Sequence, residues 1–190
     1  MGLQKKLYEE SLRKRVTIKE SNSNEYINVY TDGATVGYNG KLGTVKEVGI
    51  GIWIPAFELR ASIKLKGISN NEAEFMALIL GMRTCNEIGI KRARFNMDSM
   101  IVKNRAQGNR PKKAKNRNER MDNFQDIVLD LATEEYFTQI EFKHIPRELN
   151  EKADELSKEA TIKRDEAVDF IPLLENFKTP IKYDTQNGES

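Results

Sequence analysis

The sequence predicts an α/β domain whose sheet begins antiparallel and ends with strands joined through helices. Two observations predict it. Residues 26–67 contain three β-prone runs, "YINVYT", "VGIGIWIP" and "ELRASIKLKG", which read as an antiparallel meander. From residue 69 onward the apolar period lengthens to that of helices, with two more β-prone runs set between them. That alternation is the pattern of an α/β chain.

Each element has its own signal. "YINVYT" is rich in β-branched and aromatic residues and is followed by turn residues. "GATVGYNGKLGTVKEVG" is a glycine-dotted connection, so the loop after Gly33 is expected to be unusually long. "VGIGIWIP" forms the second strand and "ELRASIKLKG" the third, with Leu59, Ala61, Ile63 and Leu65 alternating onto one face. Trp53 and Tyr30, on strands, read as core residues. In "SNNEAEFMALILGMRTCNEIG" apolar residues recur at helical spacing, with Ser69 or Asn70 as cap and Gly89 as terminator. "KRARFNMD" is a strand, "SMIVKNRA" a short helix, and "NERMDNFQDIVLDLATEE" a helix with Met121, Phe124, Ile127, Val128 and Leu131 on its apolar face. "FTQIEFKHI" is the fifth strand, and "ELNEKADELSKEATIK" a last helix striped by Leu149, Ala153, Leu156 and Ala160. The order is β-β-β-α-β-α-α-β-α, with no internal repeat. An N-terminal extension, residues 1–24, holds "LQKKLYEESLRKRV", compatible with a short amphipathic helix. The domain runs over 25–163, and a tail, 164–190, carries one apolar island, "VDFIPLLENF".

Composition narrows the function classes. A chain of 190 residues is expected to be one domain with tails. Its single cysteine, Cys85, can form no internal disulfide and lies in an apolar helical pattern, which points to a core residue and a reducing compartment. No apolar run spans a bilayer, and "MGLQKKLYEESLRKR" lacks the apolar centre of a secretory signal. The expectation is a soluble protein without membrane contact, cytoplasmic or nucleoid-associated. The net charge of +2 is unevenly spread: in residues 103–120 Glu119 is the only acid among many Lys and Arg. Such a block either attracts polyanions or is a solvated loop.

Four acids stand out, each with a plain alternative. Asp32, at the end of the first strand and before Gly33, also suits a turn. Asp98, after the fourth strand, also suits a helix cap. Glu74 shares a helical stripe with Leu78, Gly81 and Cys85, an odd place for a carboxylate, although a helix N-terminus favours one there. Asp154, in the first turns of the last helix above Ser157 and Lys158, also suits a solvated surface. Should the acids converge, their repulsion calls for cations. Two divalent metals ~3.5 to 4 Å apart would supply them and activate water at a phosphodiester. An all-oxygen ligand set suits Mg²⁺ or Mn²⁺.

"VYTDGA", "SNNEAEFMAL", "MDSMIV" and "NEKADELSKEA", in this order and on these elements, resemble type 1 ribonuclease H over residues 26–160. The resemblance implies a five-stranded mixed sheet in the order 3-2-1-4-5, the first three strands antiparallel, with helices on both faces. It implies that Asp32, Glu74, Asp98 and Asp154 are metal-binding catalytic carboxylates, Asp32 bridging two Mg²⁺ ions (Mn²⁺ as substitute). The activity implied is hydrolysis of the RNA strand of an RNA–DNA hybrid, leaving 3′-hydroxyl and 5′-phosphate ends, by a monomer. Asn70 and Asn71 match residues that read 2′-hydroxyls, the groups that mark RNA, although they also suit helix capping. Gly33 and Ala34 would approach the RNA strand through their backbone. Ser69 and Asn118 match ligands of a DNA phosphate, and the basic block, with Lys112, Lys113 and Lys115, would track phosphates.

The sequence also departs from the bacterial members. Met100 replaces a Gln, and Glu72 an Arg. "RAQGNRPKKAKNRNER" is too short for the tryptophan-rich basic helix of many members and resembles the handle-less variety. His144, ten residues before Asp154, matches the family's mobile histidine on one alignment, and Arg147 takes the functional place on another. Two other readings stand beside the hybrid nuclease. One is a different enzyme on the same fold, such as a junction resolvase or transposase, against which Asn70, Asn71 and Ser69 speak. The other is a non-catalytic hybrid-binding module, which the presence of all four acids disfavours.

Overall fold

The computed structural model describes residues 25–36, 47–66, 68–111, 118–162 and 168–169. Its strands are β1 (Ile27–Val36), β2 (Glu47–Ile54), β3 (Leu59–Lys66), β4 (Arg92–Met97), β5 (Gln139–His144) and a two-residue β6 (Val168–Asp169). Its α-helices are α1 (Asn70–Glu87), α2 (Met100–Ala106), α3 (Glu119–Leu131) and α4 (Glu151–Ile162). The element order is the expected one, with β6 added from the apolar island of the tail. The N-terminal amphipathic segment lies outside the described residues.

The sheet order is β5-β4-β1-β2-β3-β6. β1, β2 and β3 pair antiparallel, and β4 and β5 run parallel to β1. The five expected strands thus lie in the order 3-2-1-4-5, and β6 extends the β3 edge at Leu65 and Lys66. α1 packs on one face of the sheet against β1 and β2, with α3 beside it. α4 lies on the other face, across β1, β2 and β3.

Alternation decides what each strand buries. Val29, Ala93 and Phe95 face α1 and α3 in a core filled by Phe75, Phe124, Met76 and Leu78. All five apolar residues expected on the face of α3 are buried. Cys85 is fully buried, and burial pushes its thiol pKa far up, so it is a packing residue and no nucleophile. Between α2 and α3, buried Arg105 donates to Asp122 at 2.8 Å, and Gln125 donates to the Arg105 carbonyl at 2.9 Å. This pairing ties α2 to α3, the two helices that flank the basic segment in sequence. Lys112, Lys113 and Lys115 lie outside the described residues.

Three expectations need correction. β1 does not stop at Thr31: its backbone pairs with β2 through Gly33↔Ile50 to Val36↔Glu47, because ladder bonding does not depend on the side chains of the turn-like Asp-Gly pair. Residues 37–46, the rest of the expected loop, lie outside the described residues. Leu149 is not on the apolar stripe of the last helix. It sits in a 3-10 turn, Arg147–Leu149, before α4 begins, and is 65% exposed. Tyr30 and Trp53 are only half-buried. They are register partners on the α4 face of the sheet, and Arg60 lies over the Trp53 ring at 5.1 Å. Among the described residues no helix is long and apolar enough to cross a membrane.

Candidate active site

The site forms where β1 and β4 part. Their parallel pairing ends at Tyr30↔Asn96, and β1 is the strand at which the chain's connections turn to opposite sides of the sheet. Crevices of this kind, beyond the ends of parallel strands, are where open α/β sheets bind ligands. Groups from both faces of the sheet can meet there. Asp32, from β1, and Asp98, just past β4, meet Glu74, from the first turns of α1. One carboxylate oxygen from each lies within 4.8 Å of the others.

The plain alternatives for these acids fail on local geometry. Asp32 is in no turn. It lies within a paired strand opposite Gly51 and is 4% exposed. Asp98 is not the cap of α2, because the Ser99 hydroxyl accepts from Val102 N there. The Oδ1 atom of Asp98 is buried with no hydrogen-bond partner among the described residues. Glu74 accepts a hydrogen bond from the Gly33 backbone N–H. That contact needs a glycine, since a Cβ at Gly33 would come within 2.3 Å of the Ala73 and Glu74 backbone. Asp154 is not a freely solvated acid. Arg147 Nη2 donates to it at 2.7 Å and Lys158 Nζ also binds it.

The charges confirm the crowding. Burial, opposed by the Ser157 hydrogen bond and reinforced by the charges of Asp98 and Asp154, raises the Asp32 pKa to about 6. Burial, then the charges of Asp32 and Asp98, raise that of Glu74 to about 9. Partial burial pushes the Asp154 pKa up, but hydrogen bonds from Lys158 and Arg147 outweigh it and hold it below its ordinary value. A triad of mutually repelling carboxylates, Asp32 buried and Glu74 and Asp98 half-buried, with one orphaned oxygen, fits a divalent cation with oxygen ligands.

This electrostatic state sets a pH dependence. The folded chain keeps the Glu74 proton up to about pH 9, whereas the unfolded chain releases it near 4.5. Asp32 behaves likewise between 3.8 and about 6. Across these windows the unfolded state binds fewer protons, so both groups make the metal-free fold less stable as pH rises. Asp154, with its lowered pKa, acts oppositely, but only near and below 3.8. The melting temperature in chelator is therefore expected to fall from pH 5 to pH 8, and saturating Mg²⁺ to flatten that slope, with protons released on binding. Thermal melts across pH, with and without Mg²⁺, check this.

The other expected site residues line the same end of the sheet. His144, at the end of β5, places Nε2 3.2 Å from the Asp98 carbonyl oxygen. A carbonyl only accepts, so this nitrogen carries the proton. Asn70 and Asn71 open α1. Asn70 Oδ1 accepts from Thr35 Oγ1 at 3.3 Å, and Asn71 is exposed. Gly33 is buried under α1, and Ala34 beside it is half-buried. Ser69 caps α1, and the Asn118 side chain caps α3 by accepting from Arg120 N and Met121 N.

Glu72 explains its own departure from the bacterial pattern. It is buried, accepts from the Ser69 backbone N–H at 2.6 Å, and binds Arg120 Nε at 3.0 Å. It thus ties the start of α1 to the start of α3. Glu72→Gln keeps an acceptor for Ser69 and loses the ionic partner of Arg120. The expected cost is ~1 kcal/mol, read as a melting temperature lower by about 2–4 °C.

Ser157 is the residue that sequence reasoning missed. Its hydroxyl, fully buried in α4, binds Asp32 Oδ2. A signal was present: Ser157 sits amid the buried stripe of Ala153, Leu156 and Ala160. A polar group on an apolar stripe is the same oddity that singles out Glu74.

This sheet with an acidic centre at the β1–β4 parting defines a ribonuclease H-like protein. The profile of the reverse transcriptase-like family matches residues 57–160, and the chain belongs to that family, which bears out the resemblance read from the sequence. Solved structures agree in fold. The N-terminal ribonuclease H domain of a Mycobacterium tuberculosis protein, solved as a maltose-binding-protein fusion, is 23% identical with a TM-score of 0.58, covering 72% of this chain and 93% of that one. Ribonuclease H1 of the halophilic archaeon Halobacterium salinarum is 23% identical with a TM-score of 0.57, covering 72% and 97%. LC11 ribonuclease H1, isolated from compost by a metagenomic approach, was solved in complex with an RNA/DNA hybrid. It is 27% identical with a TM-score of 0.55, covering 71% and 96%. Comparison with curated proteins finds no match.

Proposed function

We propose that the chain is a metal-dependent endonuclease that hydrolyses the RNA strand of RNA–DNA hybrids, leaving 3′-hydroxyl and 5′-phosphate ends. The observation that carries this reading is the convergence of Asp32, Glu74 and Asp98 within 4.8 Å, with Asp98 Oδ1 buried and unpartnered. Bound Mg²⁺, with Mn²⁺ as substitute, would supply an activated water and stabilise charge on the attacking and leaving oxygens. Asp32, Glu74 and Asp98 would hold it, with Asp154 as the fourth ligand of a two-metal centre.

The chain's own groups divide the remaining work. Asp32 is held on a paired strand and Glu74 on a helix, so their carboxylates are set before substrate arrives. Arg147 and Lys158 keep Asp154 ionised at the rim. Asn70 and Asn71, at the start of α1, would read the 2′-hydroxyls that separate RNA from DNA. Ser69 and Asn118 would hold a phosphate of the DNA strand, with the basic segment following it. The hybrid-bound structure of LC11 ribonuclease H1, at 27% identity, supports a hybrid as the substrate class.

The test is cleavage of a labelled RNA–DNA hybrid in Mg²⁺ beside double-stranded RNA, double-stranded DNA and a branched DNA junction. RNA cut only in the hybrid, and not in chelator, is the expected result. Cutting of the junction instead would make the chain a resolvase. Binding of the hybrid without cutting would make it a binding module.

A further inference from the structure

We propose that Ser157 is a positioning residue for metal binding: its buried hydroxyl locks the carboxylate of Asp32 to the helix that carries Asp154. The proposal rests on the metal-dependent reading above.

A serine hydroxyl in a helix usually bonds back to its own backbone, and such a bond is available here, with Ser157 Oγ 2.8 Å from the Asp154 carbonyl oxygen. Yet the same hydroxyl also reaches across 125 residues of sequence to Asp32 Oδ2. It has one proton, and a carboxylate is the stronger acceptor. The Asp32 side chain rotates broadly about its terminal torsion. Bonding of Oδ2 on the α4 side restrains that rotation in a carboxylate that has one oxygen within 4.8 Å of oxygens of Glu74 and Asp98.

The backbone is arranged for this contact. Ser157 is 0% exposed, so no water can replace its hydroxyl without opening the interface. Asn150, also buried, donates to the Thr31 carbonyl at 3.0 Å, fixing the chain just before α4 to the residue before Asp32. Ser62 Oγ donates to the Leu156 carbonyl at 2.8 Å and holds the middle of α4 to β3. Ser157 therefore sits on a helix tied to the sheet from two sides. Its reach to Asp32 is a fixed feature of the interface.

The test compares Ser157→Ala with Thr161→Ala. Thr161 is one turn further along α4, also buried, and among the described residues its hydroxyl bonds only to the Lys158 carbonyl, at 2.7 Å. Both variants delete a buried helix hydroxyl, and alanine favours the helix in each, but only Ser157 touches an acid of the centre. Mn²⁺ binding by calorimetry, without nucleic acid, is the primary readout. Ser157→Ala is expected to bind Mn²⁺ ~10-fold more weakly, the usual effect of removing a hydrogen bond to a ligating group. The Mg²⁺ concentration for half-maximal hybrid cleavage should rise by the same factor, while Thr161→Ala binds Mn²⁺ as the parent does. Unchanged Mn²⁺ affinity in Ser157→Ala, or an equal loss in Thr161→Ala, would overturn the positioning role and leave the nuclease reading intact. A parent protein that binds no Mn²⁺ would remove the metal-dependent reading itself, and the positioning role with it.

Discussion

Asp98→Asn is expected to lower hybrid cleavage by ~10³-fold or more, about 4 kcal/mol of barrier, while raising the melting temperature of the metal-free protein. The two effects have one origin. Asp98 raises the pKa of both Asp32 and Glu74 through its charge. In the absence of a cation that charge works against the fold, and its removal relieves the other two carboxylates. With a cation bound as proposed, the same charge would be a ligand, and its loss would remove both affinity and transition-state stabilisation. An acid kept for packing would behave oppositely, since its removal would lower stability and leave the metal response unchanged. The measurement is a pair of melts, in chelator and in Mg²⁺, beside the cleavage rate. The parent should gain more from Mg²⁺ than the variant does, and the variant should melt higher in chelator, by about 2–4 °C for each kcal/mol relieved. A variant that melts lower in chelator and still cleaves would show that Asp98 serves the fold rather than the chemistry.

Most of the architecture was legible because it follows local periodicity. The change from period two to period 3.6 at Ser69 marked the passage from meander to α/β chain, and from residue 27 to residue 162 the helices and five main strands follow in the expected order, with β1 longer and the last helix starting later than expected. Glu74 was legible as a charge on the stripe of Leu78, Gly81 and Cys85, all three buried. The convergence of the acids was not legible from spacing. It depends on the parallel pairing of β1 with β4, between residues 66 apart such as Ile27 and Ala93, and no local pattern encodes such a partner. The resemblance to ribonuclease H carried that step.

Two of the differences share a cause: side-chain character does not set backbone boundaries. The Asp-Gly pair after Thr31 reads as a turn, yet β1 runs on through it because β2 continues to supply pairing partners. Leu149 has the right spacing for α4, but the helix begins two residues later at Glu151, so the spacing does not apply. Tyr30 and Trp53 are β-prone and aromatic, and their strands are central. Burial there depends on whether α4 covers that part of the sheet face, which the strand sequence does not record. The polar character of Arg60, their neighbour across the sheet, was the available hint.

Gly51→Ala is expected to damage both stability and catalysis, for one geometric reason. Gly51 is the register partner of Asp32, so the two share a face of the sheet, the face under α4. A Cβ on Gly51 would stand 2.0 Å from the Ala153 carbonyl oxygen and 2.7 Å from Ser157 N. These are backbone atoms, and no side-chain rotation relieves the contact. α4 must lift from β2, losing the burial of Ala153, Leu156 and Ala160, and the expected cost lies at the upper end of overpacking, ~3 kcal/mol, or roughly 6–12 °C in melting temperature. The same lift carries Ser157 and Asp154 away from Asp32, and a displacement of ~1 Å at a reacting centre is worth about 100-fold in rate. The rate per folded molecule should therefore fall well below the melting point, where a merely destabilised enzyme would keep its full rate. Because the obstruction is the main-chain oxygen of Ala153, the second change Ala153→Gly should not restore either property. Recovery in that double variant would show that α4 meets β2 through side chains, and that the close backbone approach is not what holds Asp154 near Asp32.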